Sequence, residues 1–294
     1  MANRLRHMNP TLPMPPSTTP TVRRLLVDLD TPLPRHWCDG DPVLTAFFNA
    51  LSMSFPFGEQ FFIDAVRAGV AALPAEQAAP LHAEVQGFLG QEATHRHLHA
   101  RFNRHLLDQG LRNTWEVRGL ARMRRLQGLD PRHALAITAA NEHFTALFAD
   151  WLLGHPSLFA HTETRLKALW QWHSAEELEH KSTAFDVYRA LGGDERWRKR
   201  WMRRVTAFFL SDVLRQTVLN LHRDQQLWRW HTARSAWRLV MGQHGLLRTL
   251  WTPWRAYFRA DFHPQHQSSQ RADAWLLEHV DWFVPVGKST ATPQ

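Results

Sequence analysis

Residues 91–103 read QEATHRHLHARFN and place one glutamate and three histidines in a segment with helical periodicity. Glu92 and His95 lie three positions apart, so a helix would present both side chains on one face. A solvated histidine-rich helix and one half of a metal site would both carry this pattern. The distinction depends on whether the chain contains a second half.

A second segment with the same spacing lies at residues 172–188, WHSAEELEHKSTAFDVY. Glu177 and His180 are again three positions apart. With 12 Glu and 19 His in 294 residues, about one such pair is expected by chance, so the spacing alone is weak evidence. The positions of other glutamates carry more information.

One glutamate precedes each pair at a similar distance. Glu59, in FPFGEQFF, lies 33 residues before Glu92, and Glu142, in NEHFTALF, lies 35 residues before Glu177. If each glutamate and its pair belong to an antiparallel helical hairpin, the turns should fall near residues 75 and 160. The turn-like stretches LPAEQAAP at 73–80 and GHPS at 154–157 lie close to those midpoints.

The order Glu, Glu-x-x-His, Glu, Glu-x-x-His on four helices is that of ferritin-like di-iron and di-manganese carboxylate bundles. Four carboxylates would neutralise two divalent cations, which lowers the cost of burying so much charge. Oxygen and imidazole ligands favour iron, with manganese or zinc also compatible. Surface or salt-bridge roles are disfavoured by the apolar neighbours of all four glutamates. The predicted ligands of two divalent ions are Glu59, Glu92, His95, Glu142, Glu177 and His180.

Neighbouring residues leave alternatives open at this site. Glu176 reaches His180 at i,i+4 and could replace Glu177, although the matched i,i+3 spacing favours Glu177. His99 lies one turn after the first pair and His173 one turn before Glu177. Both histidines are candidate catalytic residues, as a base near the substrate or as partners of the ligands, although the sequence alone favours a solvated side chain for each.

The composition predicts an all-α protein, a ferritin-like four-helix bundle with additional C-terminal helices. Glycine is scarce, and Ala, Leu, Arg, Glu, Gln and His dominate long segments. We expect a first helix interrupted near Pro56 and Gly58, and a long helix over residues 162–191. The expected domains are a disordered arm at 1–25, the metal-binding bundle at 26–195, a helical extension packed on the bundle at 196–264, and a polar tail with a short amphipathic segment at 265–294.

Charge and tryptophan content add a prediction about surroundings. The net charge is +8, and many of the 14 Trp lie among arginines late in the chain. Such helices can pack with their rings in the core, or lie on an anionic membrane surface, while nucleic acid is disfavoured. We expect a cytoplasmic protein, because the sequence has a single cysteine, no apolar signal region and no segment long enough to span a membrane. Peripheral contact at the inner face of the membrane is an option. The residues of this interfacial surface would be Trp228, Trp230, Trp237, Trp251, Trp254, Tyr257 and Phe258 with the arginines between them.

The motifs FPFGEQFF, QEATHRHLHARFN, NEHFTA and WHSAEELEHKSTAFDVY, with FHP at 262–264, resemble those of a bacterial family described as predicted metal-dependent hydrolases. The resemblance spans roughly residues 30–265. It implies a metal-dependent hydrolase, whereas the ligand pattern is more typical of iron proteins that react with O2. The family's motif positions are matched by Glu59, Glu92, His95, His99, Glu142, Glu177 and His180.

Three functions are therefore compared. The leading hypothesis is a di-iron, O2-dependent oxidase or oxygenase that acts on a small apolar substrate, with an electron donor that the sequence does not identify. The alternative is hydrolysis by water activated between two metal ions, with His99 or His173 carrying a proton. The third is a non-catalytic metal-binding or membrane-associated protein.

Overall fold

A computed structural model describes residues 19–286 of the chain, and it confirms the all-α class. The only sheet among these residues has two short strands, β1 (Arg23–Leu25) and β2 (Phe283–Pro285). Single 3-10 turns occur at Ala79–Leu81, Pro156–Phe159, Pro264–His266 and Val280–Trp282. The helices are α1 (Pro42–Ala71), α2 (Ala75–Ala78), α3 (His82–Asp108), α4 (Trp115–Arg124), α5 (Pro131–Leu153), α6 (Thr164–His180), α7 (Thr183–Ala190), α8 (Glu195–Arg223), α9 (Trp230–Met241), α10 (Leu246–Ala256) and α11 (Gln270–Glu278).

Two helical hairpins form the centre of the fold. Helix α1 packs against α3, α5 packs against α6, and the pairs meet through α1 with α5 and through α3 with α6. The helices of each hairpin are joined by residues 72–81 and 154–163. These connections contain the turns predicted near residues 75 and 160. Helices α1 and α5 each begin after an aspartate, Asp41 or Asp130, whose side chain accepts a hydrogen bond from backbone N–H groups of the first turn.

Helix α1 runs without interruption from Pro42 to Ala71, so the break expected near Pro56 and Gly58 is wrong. Proline inside a helix removes the N–H that would bond to the carbonyl four residues earlier. Here Asn103 Nδ2 donates to the Ser52 carbonyl at 2.9 Å, and Asn113 Nδ2 donates to the Met53 carbonyl at 2.7 Å. Side chains from outside the helix therefore satisfy the carbonyls near the proline.

The long helix expected over 162–191 is instead two helices, because α6 ends at His180 and α7 begins at Thr183. Contacts to other segments hold the turn between them. Thr183 Oγ1 donates to Glu84 on α3 at 2.9 Å, and Lys181 Nζ donates to the Gln267 carbonyl at 2.7 Å. The turn therefore lies directly after the last predicted metal ligand.

The expectation of a disordered arm at 1–25 is wrong for its last part. Strand β1 pairs antiparallel with β2, with Arg24 opposite Val284. The preceding residues lie against α3, where a Cβ at Gly87 would meet the Pro20 carbonyl oxygen at 2.3 Å and a Cβ at Gly90 would meet Val22 at 2.3 Å. Glycine at these positions lets the N-terminal segment approach the helix closely. Residues 1–18 of the expected arm lie outside the described residues.

The later helices cover the two hairpins. Helix α8 packs against α1 and α5, α10 against α5 and α9, and α11 against α6 and α5. The segment from 265 onward, expected as a polar tail, thus contributes a packed helix and strand β2 as far as residue 286. Within residues 19–286, no helix combines the length and the apolar character needed to cross a membrane.

Candidate metal centre

The fold brings the six predicted ligands together in its interior. Glu59 comes from α1, Glu92 and His95 from α3, Glu142 from α5, and Glu177 and His180 from α6, and all six are buried. Three groups have ligand atoms within 4.8 Å of one another. They are Glu92, His95 and Glu177; Glu92, Glu142 and His180; and Glu59, His95 and His173. The groups share Glu92 and His95, so they form one continuous cluster that could hold metal ions.

Unpaired polar atoms test whether these residues fit metal ions. Across residues 19–286, nine buried side-chain atoms of the six predicted ligands have no hydrogen-bond partner. Buried polar atoms are rarely left unpaired, because each costs free energy comparable to a lost hydrogen bond. The nine atoms are both carboxylate oxygens of Glu59, Glu92 and Glu142, Oε2 of Glu177, Nδ1 of His95 and Nε2 of His180. Such a concentration of lone pairs matches what divalent cations require.

Distances between these atoms agree with the same interpretation. Two ligand atoms on one ion, each about 2.1 Å from it, lie about 3.0–3.4 Å apart. His180 Nε2 lies 3.2 Å from Glu92 Oε1, 3.3 Å from Glu142 Oε2 and 3.6 Å from Glu177 Oε2. These separations resemble edges of a coordination polyhedron.

A hydrogen bond to Gln91 fixes the orientation of His180. Gln91 Nε2 donates to the Thr21 carbonyl at 3.0 Å and to Glu179 Oε2 at 2.7 Å, so Gln91 Oε1 must be an acceptor. His180 Nδ1, at 2.8 Å, therefore donates to Gln91 Oε1. In the neutral ring, this bond leaves the lone pair of Nε2 facing the carboxylates, as a metal ligand needs.

Glu176 plays the equivalent part for His95. Glu176 Oε2 lies 3.0 Å from His95 Nε2, while Glu176 Oε1 accepts from Arg23 at 3.2 Å. With Nε2 donating to Glu176, the lone pair of His95 Nδ1 is directed at Glu177 Oε1, 3.5 Å away. Glu176 is thus placed as the hydrogen-bond partner of a histidine, and Glu177 is the residue among the clustered ligand atoms.

The charges of the site perturb the pKa values of its carboxyl groups. Burial raises the pKa of Glu59 and of Glu92 well above the ordinary range, and neighbouring carboxylates add to the rise for both groups. Burial also raises the pKa of Glu142 to about 7, opposed by His180. Although burial alone would raise the pKa of Glu177, contacts with His180 and His173 lower it well below its ordinary value. Divalent cations bound by these carboxylates would displace the protons and stabilise the ionised form of each group.

His99 and His173 are both buried, so a solvated position is wrong for each of them. His99 Nε2 lies 2.7 Å from His173 Nδ1, and His173 Nε2 lies 2.8 Å from Glu177 Oε1. Burial lowers the pKa of His173 to about 4 and that of His99 well below its ordinary value. The two rings form a hydrogen-bonded path that ends at the carboxylates.

An apolar cavity of about 340 Å³ reaches the site from the side of α4 and α8. Glu59 belongs to its wall, and most of the remaining wall is aromatic or aliphatic. A smaller cavity of about 40 Å³ borders His173 and Glu177. Phe55, Phe209 and Thr145 line both cavities, so these side chains lie between the larger cavity and the smaller one beside Glu177.

Comparison with protein families gives this geometry a name. The model of a family described as "predicted metal-dependent hydrolase" matches residues 21–268. This range contains every predicted ligand discussed above. The chain belongs to this family. No match was found among curated proteins or solved structures. The buried Glu and His clusters agree with the metal dependence in the family description.

Several residues that organise the candidate centre were not predicted from the sequence. Arg23 donates to Glu176, the partner of His95, and at 2.6 Å to Glu179, which also accepts from Gln91, the partner of His180. Gln91 lies directly before Glu92, so its position was a usable signal for a polar group beside the site. Arg23 lies 69 residues before Glu92, and no local pattern connects the two.

Proposed function

We propose that the protein is an enzyme whose reaction depends on two divalent metal ions held between α1, α3, α5 and α6. Glu59 and His95 would hold one ion, Glu142 and His180 the other, and Glu92 and Glu177 would lie between them. The observation that supports this proposal is the set of nine buried, unpaired nitrogen and oxygen atoms on these six residues within 19–286. A site without metal would leave this uncompensated polarity inside the protein.

Hydrolysis is the reaction that the family description favours. When bound, two divalent ions supply an activated water and stabilise the charge of the leaving group. Glu59 belongs both to the ligand cluster and to the wall of the larger cavity, so a substrate in that cavity would lie beside the centre. The aromatic wall favours a small apolar substrate and would exclude bulk water from the reacting groups.

Oxidation by O2 is the second candidate, and one specific observation favours it. Four glutamates and two histidines on four helices form the ligand set of di-iron carboxylate proteins. Such a reaction needs iron in the site and an electron donor. The hydrolytic reaction needs neither, and this difference separates the candidates.

Metal analysis followed by two activity assays tests both candidates. Protein purified without added metal or chelator should contain about two divalent ions per chain, and Glu142→Gln should lose metal while Glu84→Gln keeps it. Glu84 is a suitable control because it is buried on α3 but accepts from Thr183 outside the cluster.

The zinc- or manganese-loaded protein would then be incubated without oxygen with a panel of apolar esters, amides and phosphoesters. Turnover there supports hydrolysis. Oxygen uptake by the Fe(II)-loaded protein, without hydrolysis of the panel, supports oxidation. A chain that holds no metal after loading with any of these ions would contradict the proposal as a whole.

A further inference from the structure

A chain of hydrogen bonds determines where His173 carries its proton, and it begins at the Ser52 carbonyl. This carbonyl can only accept, so the group that Asn103 directs to it at 2.9 Å is the amide nitrogen Nδ2. Asn103 Oδ1 must then be the atom 2.8 Å from Ser52 Oγ. An amide oxygen has no hydrogen to donate, so the Ser52 hydroxyl donates to Asn103.

The proton order continues through His99. Because the single hydroxyl proton of Ser52 is used, His99 Nδ1, 2.8 Å from Ser52 Oγ, must be the donor in that contact. His99 packs against the rings of Phe55 and Trp170, and among the described residues it makes no hydrogen bond or ion pair with a carboxylate, so its ring is neutral. His99 Nε2 therefore accepts from His173 Nδ1 at 2.7 Å.

His173 is the last residue in this series of hydrogen bonds, and its other ring nitrogen, Nε2, faces the proposed metal centre. With its proton on Nδ1, neutral His173 has a lone pair on Nε2. That atom lies 2.8 Å from Glu177 Oε1 and 3.9 Å from Glu59 Oε1. The lone pair of His173 Nε2 and the two carboxylate oxygens would together provide ligand atoms for one divalent cation. His173 also belongs to a group with Glu59 and His95 whose ligand atoms lie within 4.8 Å of one another.

We propose that His173 Nε2 is a further protein ligand, to the ion held by Glu59 and His95. This inference rests on the proposed metal-dependent function, and it replaces the role of proton carrier that the sequence suggested for His173. It also gives His99 a positioning role, since His99 orients the ring of His173 without touching the metal.

Proton NMR of the Co(II)-loaded protein tests the assignment. Each imidazole bound to Co(II) has a second N–H whose resonance is strongly shifted and exchanges with solvent. The proposal predicts three such signals, from His95, His173 and His180, and two in His173→Gln. His143→Gln, a change at a buried histidine that contacts the Pro253 carbonyl, should leave three.

The possible outcomes are distinguishable. Two shifted N–H signals in the wild-type protein with two bound ions would overturn the His173 assignment and leave the proposed function standing. Wild-type protein that binds no Co(II) would contradict both. The count in the wild-type protein is informative even if His173→Gln does not fold.

A separate observation concerns the surface of α9 and α10. Residues 225–260 contain six arginines and no Asp or Glu. Four tryptophans here are largely exposed: Trp228 is 89%, Trp230 74%, Trp237 62% and Trp251 51% exposed. Leu239 and the half-buried Leu246 and Leu250 pack inward. The four indole rings stay largely exposed, although Trp251 stacks on Trp254 and lies under the Arg255 guanidinium. Tyr257 is buried, so it does not belong to the surface expected from the sequence.

We infer that this surface docks on an anionic lipid bilayer. Tryptophan rings prefer the headgroup region, and arginines bind lipid phosphates. The absence of acidic residues along 36 positions supplies the charge complementarity. A nucleic acid would also attract the arginines, but it would not require four protruding indole rings.

Co-sedimentation with phosphatidylcholine vesicles, with and without phosphatidylglycerol, tests this docking. We expect binding to the anionic vesicles, and changing Arg234, Arg238 and Arg248 to Gln should weaken it by about fivefold per arginine. Changing Trp230, Trp237 and Trp251 to Ser should also weaken it. Val117→Ser, at an exposed apolar position on α4, should not. The proposal of a lipid surface would be refuted by equal binding to neutral and anionic vesicles, or by no binding at low salt. It would also be refuted if the protein bound duplex DNA and the tryptophan changes left that binding intact.

Discussion

Replacing Glu142 with glutamine should have opposite effects on stability with and without metal. The carboxylate is buried, and both of its oxygens lack a hydrogen-bond partner within residues 19–286. Glutamine has nearly the same shape but carries no charge. In the metal-free protein the change removes a buried charge, whereas in the metal-loaded protein it removes a ligand.

The pKa of Glu142 gives the size of the first effect. Burial raises this pKa from an ordinary 4.5 to about 7 in the folded protein, so the unfolded chain binds fewer protons between these values, and stability falls as pH rises through that range. At about 1.4 kcal/mol per pKa unit, ionised Glu142 lowers the free energy of unfolding by about 3 kcal/mol at pH 8. At pH 5 the cost is below about 1 kcal/mol.

Urea unfolding of chelator-treated protein measures this effect. Glu142→Gln should be more stable than the wild type by about 3 kcal/mol at pH 8 and nearly equal to it at pH 5. With metal at 100 times its dissociation constant, the wild type should gain about 2.7 kcal/mol, and the variant should gain less. Glu84→Gln provides the control. If Glu142→Gln destabilises the protein equally at both pH values, with or without metal, Glu142 is a structural residue and the reasoning fails.

Three further predictions follow from the same geometry. Metal affinity should increase as pH rises through about 7, because the proton on Glu142 competes with the metal; titration at pH 6 and 8 measures this, and equal affinities would contradict it. Arg23→Met should weaken metal binding by about 10- to 100-fold, because Arg23 holds Glu176 beside His95; chelator competition measures the change, with Arg24→Met as the control. Ile137→Trp should fill part of the larger cavity and reduce turnover while the metal content stays intact, and Ile137→Val should preserve both.

The clustering of the six proposed metal ligands could be predicted from the sequence because their spacing follows from helix geometry. A hairpin with ligands at one level fixes the distance from Glu59 to Glu92 and the location of the turn. The structure has α1 and α3 on either side of residues 72–81, as that argument requires. The same pattern in the sequence of α5 and α6 supported the prediction of a second hairpin, whereas the all-α class was predicted from composition.

The residues that orient the histidines could not be read in the same way. Arg23 belongs to a segment that looked disordered, since its pairing with β2 joins residues about 260 positions apart. His99 and His173 looked solvated because each lies one turn outside its ligand pair, His99 after the first pair and His173 before the second. Helical periodicity does not reveal how much of a helix is covered by neighbouring segments. Pro56 looked like a helix end because the partners of the nearby carbonyls, Asn103 and Asn113, are distant in sequence.

Pro56 connects this local irregularity to the proposed ligand. It has no N–H, so the Ser52 carbonyl is free to accept from Asn103, and that bond sets the proton order that ends at His173. In Pro56→Ala the restored N–H would compete with Asn103 for the carbonyl. The Co(II)-shifted N–H of His173 should then exchange faster with solvent, while Pro253→Ala in α10 leaves its exchange rate unchanged. Unchanged exchange in Pro56→Ala would mean that Asn103 fixes the order of these protons without help from the proline.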